Sequence, residues 1–111
     1  MAIYSNFTID QGTTFSADID VTDADGDALN LTGYTCAGQM RKSYNSNTFT
    51  AFSASITNAT GGVLNIGLSA TQTNALKAGR YVYDVEITDS GNTVTRVIEG
   101  QIEVTPGVTR A

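Results

Sequence analysis

The chain has 111 residues and carries six Lys and Arg against eleven Asp and Glu, a formal net charge of −5 at pH 7. A chain of this length is expected to form one domain, and we predict a single domain over residues 1–111 with short extended tails at Met1–Ser5 and Thr105–Ala111. Nucleic-acid phosphates require clustered Lys and Arg, and a membrane helix needs about 20 apolar residues. The sequence therefore predicts neither a nucleic-acid partner nor a membrane partner.

The acidic residues are unevenly distributed. Residues 1–33 contain six Asp and no Lys or Arg, whereas residues 34–111 contain six basic and five acidic residues. Such an acidic region suits a basic partner, or solubility alone. The start of the chain has neither the basic region nor the apolar core of a signal peptide, so we expect no export by a cleaved signal. The lone Cys36 cannot form an intrachain disulfide, which fits assembly in a reducing cytoplasm.

Short segments in which apolar and polar residues alternate recur along the chain, a pattern typical of half-buried strands. In chain order, the predicted strands cover residues 3–9, 15–21, 34–41, 49–56, 63–68, 76–88 and 93–104. Turns rich in Asp, Asn and Gly separate them, and Pro106 and Gly107 end the last one. One short helical turn is predicted near residues 70–77, with Thr71 as its N-cap and Leu76 closing on the core.

The strand after Ala78 is the most informative segment. Tyr81, Tyr83, Val85 and Ile87 share one face of it, so we expect that face to be buried. The preceding Leu76-x-x-Gly79-x-Tyr81 resembles the tyrosine corner of immunoglobulin-like domains, in which the phenol bonds back to the turn before its strand. The predicted fold is an all-β, immunoglobulin-like antiparallel β-sandwich of seven or eight strands, with Leu76, Gly79 and Tyr81 as structural residues.

The residue types argue against catalysis. The chain has no histidine, which removes the usual general base and every Ser-His or Cys-His pair. Cys36 shares its strand face with Gly38 and Met40, so we expect a buried and unreactive thiol. Lys42 and Lys77 lie at the ends of predicted elements, where solvent keeps an amine protonated. We predict no enzyme activity and no cofactor.

An aspartate cluster supplies the candidate metal ligands, at Asp18, Asp20, Asp23, Asp25 and Asp27. Carboxylates are the ligands that calcium prefers. The spacing does not fit the helix–loop–helix calcium motif, because aligning Gly26 with the glycine of that motif places Thr32 where a bidentate Glu belongs. The five residues are therefore weak candidates for a looser calcium site, or for a metal-dependent enzyme. A solvated acidic turn is the alternative.

The polar loop at Ser43–Thr48 is predicted to be exposed. Tyr44, Asn45, Asn47 and Phe49 are candidates for a partner-binding patch, because aromatic and amide side chains dominate adaptable binding loops. A loop tip with a partly tucked tyrosine is the alternative interpretation.

Spaced signatures along the chain resemble the N-terminal domain of baseplate upper proteins of tailed bacteriophages. The opening signatures are Gly12 with Phe15, Leu29–Thr35 and Met40–Lys42, and the closing ones are residues 78–81, 86–91 and 99–104. The block from Lys77 to Arg110 is also similar to small structural proteins of tailed phages that infect marine bacteria, cyanobacteria among them. The resemblance implies an immunoglobulin-like sandwich that serves as a virion building block, and its motifs are structural.

We therefore expect a non-catalytic virion structural protein that acts in capsid decoration or as a tail or baseplate component. It would assemble in the host cytoplasm and contact other virion proteins within an oligomeric assembly. Residues Ile3–Ile9 are expected to add as a strand to a neighbouring sheet. The alternative function is a carbohydrate- or host-surface-binding module that uses the Tyr44 patch.

Overall fold

Alternating apolar residues along the chain build two sheets around one hydrophobic cluster. A computed structural model describes residues 3–108, and within them it contains nine strands and one short helix. Their bounds are β1 (Ile3–Tyr4), β2 (Phe7–Asp10), β3 (Phe15–Asp20), β4 (Thr35–Arg41), β5 (Thr50–Ala51), β6 (Ser53–Asn58), β7 (Val63–Leu68), α1 (Ala70–Asn74), β8 (Gly79–Thr88) and β9 (Val94–Thr105).

The strands divide between a large and a small sheet. The large sheet has the order β1-β9-β8-β4-β5, with β2 also paired to β9, and the small sheet has the order β3-β7-β6. This arrangement confirms the predicted all-β sandwich. The strand count exceeds the predicted seven or eight because two predicted strands are interrupted, one at Ser5–Asn6 and one at Phe52. No helix within residues 3–108 is both long and apolar enough to cross a membrane.

The N-terminal segment departs from the prediction. Both β1 and β2 run parallel to β9, with Ile3 opposite Ile98 and Phe7 opposite Ile102, so the large sheet is not wholly antiparallel. The segment therefore already pairs with its own chain, at the edge of the large sheet, and its addition to a neighbour's sheet stays a prediction. The two predicted tails, Met1–Ser5 and Thr105–Ala111, are described only in part, because residues 1–2 and 109–111 lie outside the described range. Val108, the last described residue, is 97% exposed.

The core contains the predicted face of β8 together with the inner faces of the other strands. Tyr81, Tyr83, Val85 and Ile87 are all buried, as are Leu64, Ile66 and Leu68 of β7. Four aromatic rings form a closed set, because Phe7 and Phe52 each contact both Phe15 and Tyr83 at centroid distances of 5.5 to 6.3 Å. Since Tyr83 belongs to the large sheet and Phe15 to the small one, these rings link the two layers.

The helix lies close to its predicted position but has a different N-cap. Ser69, not Thr71, caps it, because the Ser69 hydroxyl accepts from the Gln72 N–H while the Gln72 side chain accepts from the Ser69 N–H. This reciprocal pair satisfies two backbone donors at once. The buried hydroxyl of Thr73 then donates to the Thr13 carbonyl at 2.7 Å and accepts from the Gly12 N–H at 3.1 Å. The helix is thereby attached to the β2–β3 turn.

The turn between α1 and β8 contains the predicted corner. The Tyr81 hydroxyl donates to the Lys77 carbonyl at 2.8 Å. Gly79 has a φ of 139°, a conformation that residues with a Cβ rarely adopt. Leu76 is buried beside this turn. The three residues predicted as structural therefore meet where the chain enters β8.

Replacing Tyr81 with phenylalanine is expected to lower the free energy of unfolding by about 1–2 kcal/mol, because the Lys77 carbonyl loses its buried donor. Urea denaturation measures the change. Tyr44→Phe is the matched control, since the Tyr44 side chain is largely exposed, and its effect should stay within about 0.5 kcal/mol. Equal effects of the two substitutions would contradict the corner interpretation.

Stability is expected to fall in alkaline solution. Burial, and secondly the neighbouring Tyr4, raises the pKa of Tyr83 above its ordinary value of 10.0, and burial also raises the pKa of Tyr81. Above about pH 10 the unfolded tyrosines lose protons that the folded ones retain, so the stabilisation present at lower pH is lost as pH rises. Melting temperatures measured between about pH 8 and about pH 11 should decline, and Tyr83→Phe should flatten the decline. An unchanged slope in that variant would contradict the assignment.

Candidate functional site

The structure separates the two aromatic residues of the predicted patch. Both are exposed, Tyr44 by 73% and Phe49 by 51%, but each lines a different depression. Arg41 lines both depressions, and its guanidinium lies 4.9 Å from the centre of the Phe49 ring. Asn45 and Asn47 are exposed in the same loop. The predicted patch is therefore two surfaces rather than one.

The first surface, which we call the outer groove, lies on the solvent face of the large sheet. It has a volume of about 310 Å³ and is lined by Gln39, Arg41, Tyr44, Val82, Tyr83, Asp84, Glu86, Arg96 and Glu99. Arg96 forms ion pairs with Asp84 at 3.2 Å and Glu99 at 3.6 Å. An exposed ring beside carboxylate, amide and guanidinium groups combines a flat apolar contact with hydrogen-bonding partners. These are the groups that a polar, ring-shaped ligand such as a sugar requires.

The second surface, which we call the basic cleft, lies between β4, the loop after it and the end of α1. It has a volume of about 370 Å³ and is lined by Met40, Arg41, Lys42, Thr48, Phe49, Thr50, Ala75, Leu76, Lys77 and Tyr81. The Lys42 ammonium lies 4.8 Å from the centre of the Tyr81 ring. Aromatic faces attract cations, so both Arg41 and Lys42 are held against rings. The cleft combines cationic groups with apolar side chains.

The basic cleft was not predicted from the sequence. The sequence contained one signal for it, the adjacent pair Arg41 and Lys42, which by itself indicates only a small basic spot. Lys77 comes near them because β4 and β8 are neighbours in the large sheet, with Arg41 opposite Val82. That pairing joins residues more than 30 positions apart, which no local pattern reveals.

The five candidate calcium ligands are not gathered into a site. Within residues 3–108, no three Asp, Glu, Cys or His side chains come close enough to hold one metal ion. Asp18 accepts from the Asn65 amide at 2.9 Å on the outer face of the small sheet. Asp23 instead accepts from the backbone N–H groups of Asp25 and Asp27, at 2.9 and 3.1 Å. The carboxylate of Asp23 therefore stabilises its own turn, a common use of Asp in turns.

The thiol of Cys36 is half-buried on the inner face of β4. Burial raises its pKa above the ordinary value of 9.0. Since the thiolate is the nucleophilic form, this environment lowers its reactivity at neutral pH.

The comparisons with known proteins indicate a fold and no sequence family. No protein-family model matches the chain, and no curated protein matches it in sequence. Among solved structures, the N-terminal domain of phage TP901-1 ORF48 matches with a TM-score of 0.59 and 10% identity, over 90% of this chain and 84% of that one. A variant of the SrpA adhesin from Streptococcus sanguinis matches with a TM-score of 0.52 and 12% identity, over 90% of this chain and 54% of that one. The chain shares the fold of both.

Proposed function

We propose that this chain is a non-catalytic structural protein of a tailed-phage virion that acts through contacts with other virion proteins. The observation that carries the proposal is the fold shared with the phage domain over 90% of this chain and 84% of that domain. The signatures that resemble baseplate upper proteins independently support the same class. They include residues 78–81, which form the tyrosine corner and the start of β8.

The physical character of the chain supports an assembled, passive role. The sequence supplies no histidine for general acid–base chemistry. The outer groove and the basic cleft are both open to solvent, whereas catalytic sites are usually enclosed and dry. Capsid decoration and a tail or baseplate position are both compatible with a rigid sandwich. We propose that the protein assembles in the host cytoplasm and ends in the particle.

Labelling of intact particles tests this proposal. Antibodies raised against the purified chain, coupled to gold, should bind phage particles purified by density, and mass spectrometry of those particles should recover its peptides. Label on the head would favour decoration, and label on the tail tip would favour a baseplate component. Recovery of the chain solely from the soluble lysate, with none in the particles, would contradict the proposal.

The outer groove supports a second candidate function, the binding of carbohydrate on a host surface. The observation in its favour is the exposed Tyr44 ring beside the carboxylates and the amide that line the groove. A glycan array should then detect binding that Tyr44→Ala abolishes. Phe49→Ala is the matched control, because Phe49 is an exposed aromatic residue of the same loop that lines the basic cleft instead. Equal loss in both variants, or no binding by the wild type, would argue against this function.

A further inference from the structure

Exposed basic and acidic residues form two separate clusters at the two ends of the sandwich, although Asp10 and Glu103 lie at the same end as the basic cluster. At one end, Arg41 ends β4 and lies opposite Val82, so Arg41, Lys42 and Lys77 come together in the basic cleft. Arg80 lies at the same end but has Glu103 as its register partner on β9. The cationic character of this end is therefore concentrated in the cleft.

The opposite end is acidic. Asp20 ends β3 and is followed by the tight turn Asp23–Asp27, which we call the acidic turn. Asp89, in the turn after β8, lines the same depression as Asp20. Residues 20–35 and 88–95, which build this end, contain no Lys or Arg. Arg96 also lines this depression, but its guanidinium is paired with Asp84 and Glu99.

The two ends lie far apart on one molecule. Strand β8 begins beside the basic cleft at Gly79 and reaches the acidic end at Thr88. Ten residues of strand span about 30 Å. An acidic turn therefore cannot reach the cleft of its own chain, whereas the turn of a second copy can. Contact between different ends of identical molecules is heterologous and produces rings or filaments.

The acidic turn is exposed and its backbone is ordered, as a loop that docks into a partner's cleft has to be. All of its residues are exposed. Its backbone is fixed by the Asp23 carboxylate and by the Asp23 N–H, which donates to the Asp27 carbonyl at 2.8 Å. A preformed loop loses little conformational entropy on binding. In the cleft, Arg41 and Lys42 are likewise held against aromatic rings.

We propose that the acidic turn of one copy docks into the basic cleft of a second copy, so that the chain assembles head to tail. Carboxylates of the turn pair with Lys42, Lys77 and Arg41, while Phe49 and Leu76 cover the backbone of the turn. The occupant is a second copy because the chain itself carries an exposed, ordered acidic turn whose charge is opposite to that of the cleft. This inference concerns self-association of the purified protein and goes beyond the proposed virion role.

Sedimentation of single charge reversals tests the contact. The wild type should associate increasingly with concentration at low salt and dissociate as salt is added, because salt screens exposed charges. Lys77→Glu and Asp25→Lys should each weaken self-association by roughly tenfold. A mixture of the two variants should associate about as strongly as the wild type, because each supplies the charge that the other then requires.

Control variants separate a local contact from an effect of net charge. Ser53→Lys with Ser55→Lys, and Ser53→Glu with Ser55→Glu, change the net charge by the same amounts on exposed positions of β6 that line neither the basic cleft nor the depression at the acidic end. These variants should associate like the wild type. Circular dichroism and melting temperature confirm that every variant is folded.

Several outcomes would overturn the inference. They are a wild type that stays monomeric up to about 1 mM at low salt, reversals that act no more strongly than the controls, and a mixture that fails to recover. If a poly-aspartate peptide binds the cleft while the chain stays monomeric, the partner is a different acidic protein and self-docking is wrong. A monomeric chain that is still found in phage particles would leave the proposed virion role intact.

Discussion

Replacing Ile66 with alanine is expected to lower the free energy of unfolding by about 3–4 kcal/mol. Ile66 is fully buried in β7, the central strand of the small sheet. Its register partners on the two neighbouring strands are Ala17 and Ala54. The Ile66 side chain therefore fills the core volume that the small side chains of Ala17 and Ala54 leave unoccupied. Alanine at this position would place three alanines side by side, and no larger neighbour in that row could occupy the space.

Urea denaturation, followed by tyrosine fluorescence, measures this loss. Ile56→Ala is the matched control. This substitution removes the same atoms as Ile66→Ala, but from a partly buried position on the edge strand β6. We expect that control to cost about half as much, because a partly exposed site leaves a smaller cavity. Equal losses at the two positions would show that the row of Ala17, Ile66 and Ala54 has no special role.

Replacing Gly100 with alanine is expected to cost about 2–3 kcal/mol and to detach the N-terminal segment. A Cβ on Gly100 would overlap with the carbonyl oxygen of Ser5. That oxygen accepts a hydrogen bond from the Tyr83 hydroxyl at 2.6 Å, and the Ser5 N–H donates to the Glu99 carbonyl at 2.9 Å. The obstacle is backbone rather than a flexible side chain, so the segment has to move and both bonds are strained together.

Hydrogen exchange distinguishes detachment from general destabilisation. In Gly100→Ala, amides of β1 and β2 should lose protection, while those of β7 in the other sheet should keep theirs. Gly91→Ala is the control, because a Cβ there would meet only the Asp89 carboxylate, at 3.4 Å. Unchanged protection of residues 3–10 would contradict the close approach. A freed segment would also expose the edge of β9, the condition under which strand addition to a neighbour becomes possible.

The outer groove and the basic cleft present different chemical groups to solvent. The groove presents an exposed tyrosine and hydrogen-bonding groups, whereas the cleft presents cations beside apolar side chains. They share only Arg41 among their lining residues, so substitutions of Tyr44 and Lys77 should act independently. Sugar binding and head-to-tail assembly can therefore be tested on one protein with separate variants.

Local patterns in the sequence were sufficient for most of the fold. Alternation along residues 79–88 and 63–68 placed their buried faces correctly, because the period of two belongs to the strand itself. The corner at Tyr81 was also predictable, since Leu76, Gly79 and the phenol lie within six residues of one another. The same holds for the turn at Asp23–Asp27, whose hydrogen bonds are all internal.

Tertiary structure alone decided the remaining features, because each depends on residues distant in sequence. The N-terminal strands pair with β9 instead of remaining free because that edge of the large sheet accepts them at a distance of some 95 residues along the chain. Tyr44 and Phe49 line different depressions, and Arg41 is the one residue that lines both. The basic cleft arises from the pairing of β4 with β8, and its charge complement lies on a turn at the far end of the sandwich. Periodicity predicts on which face of its strand a side chain lies. Which strands pair with one another depends on the packing of the whole chain.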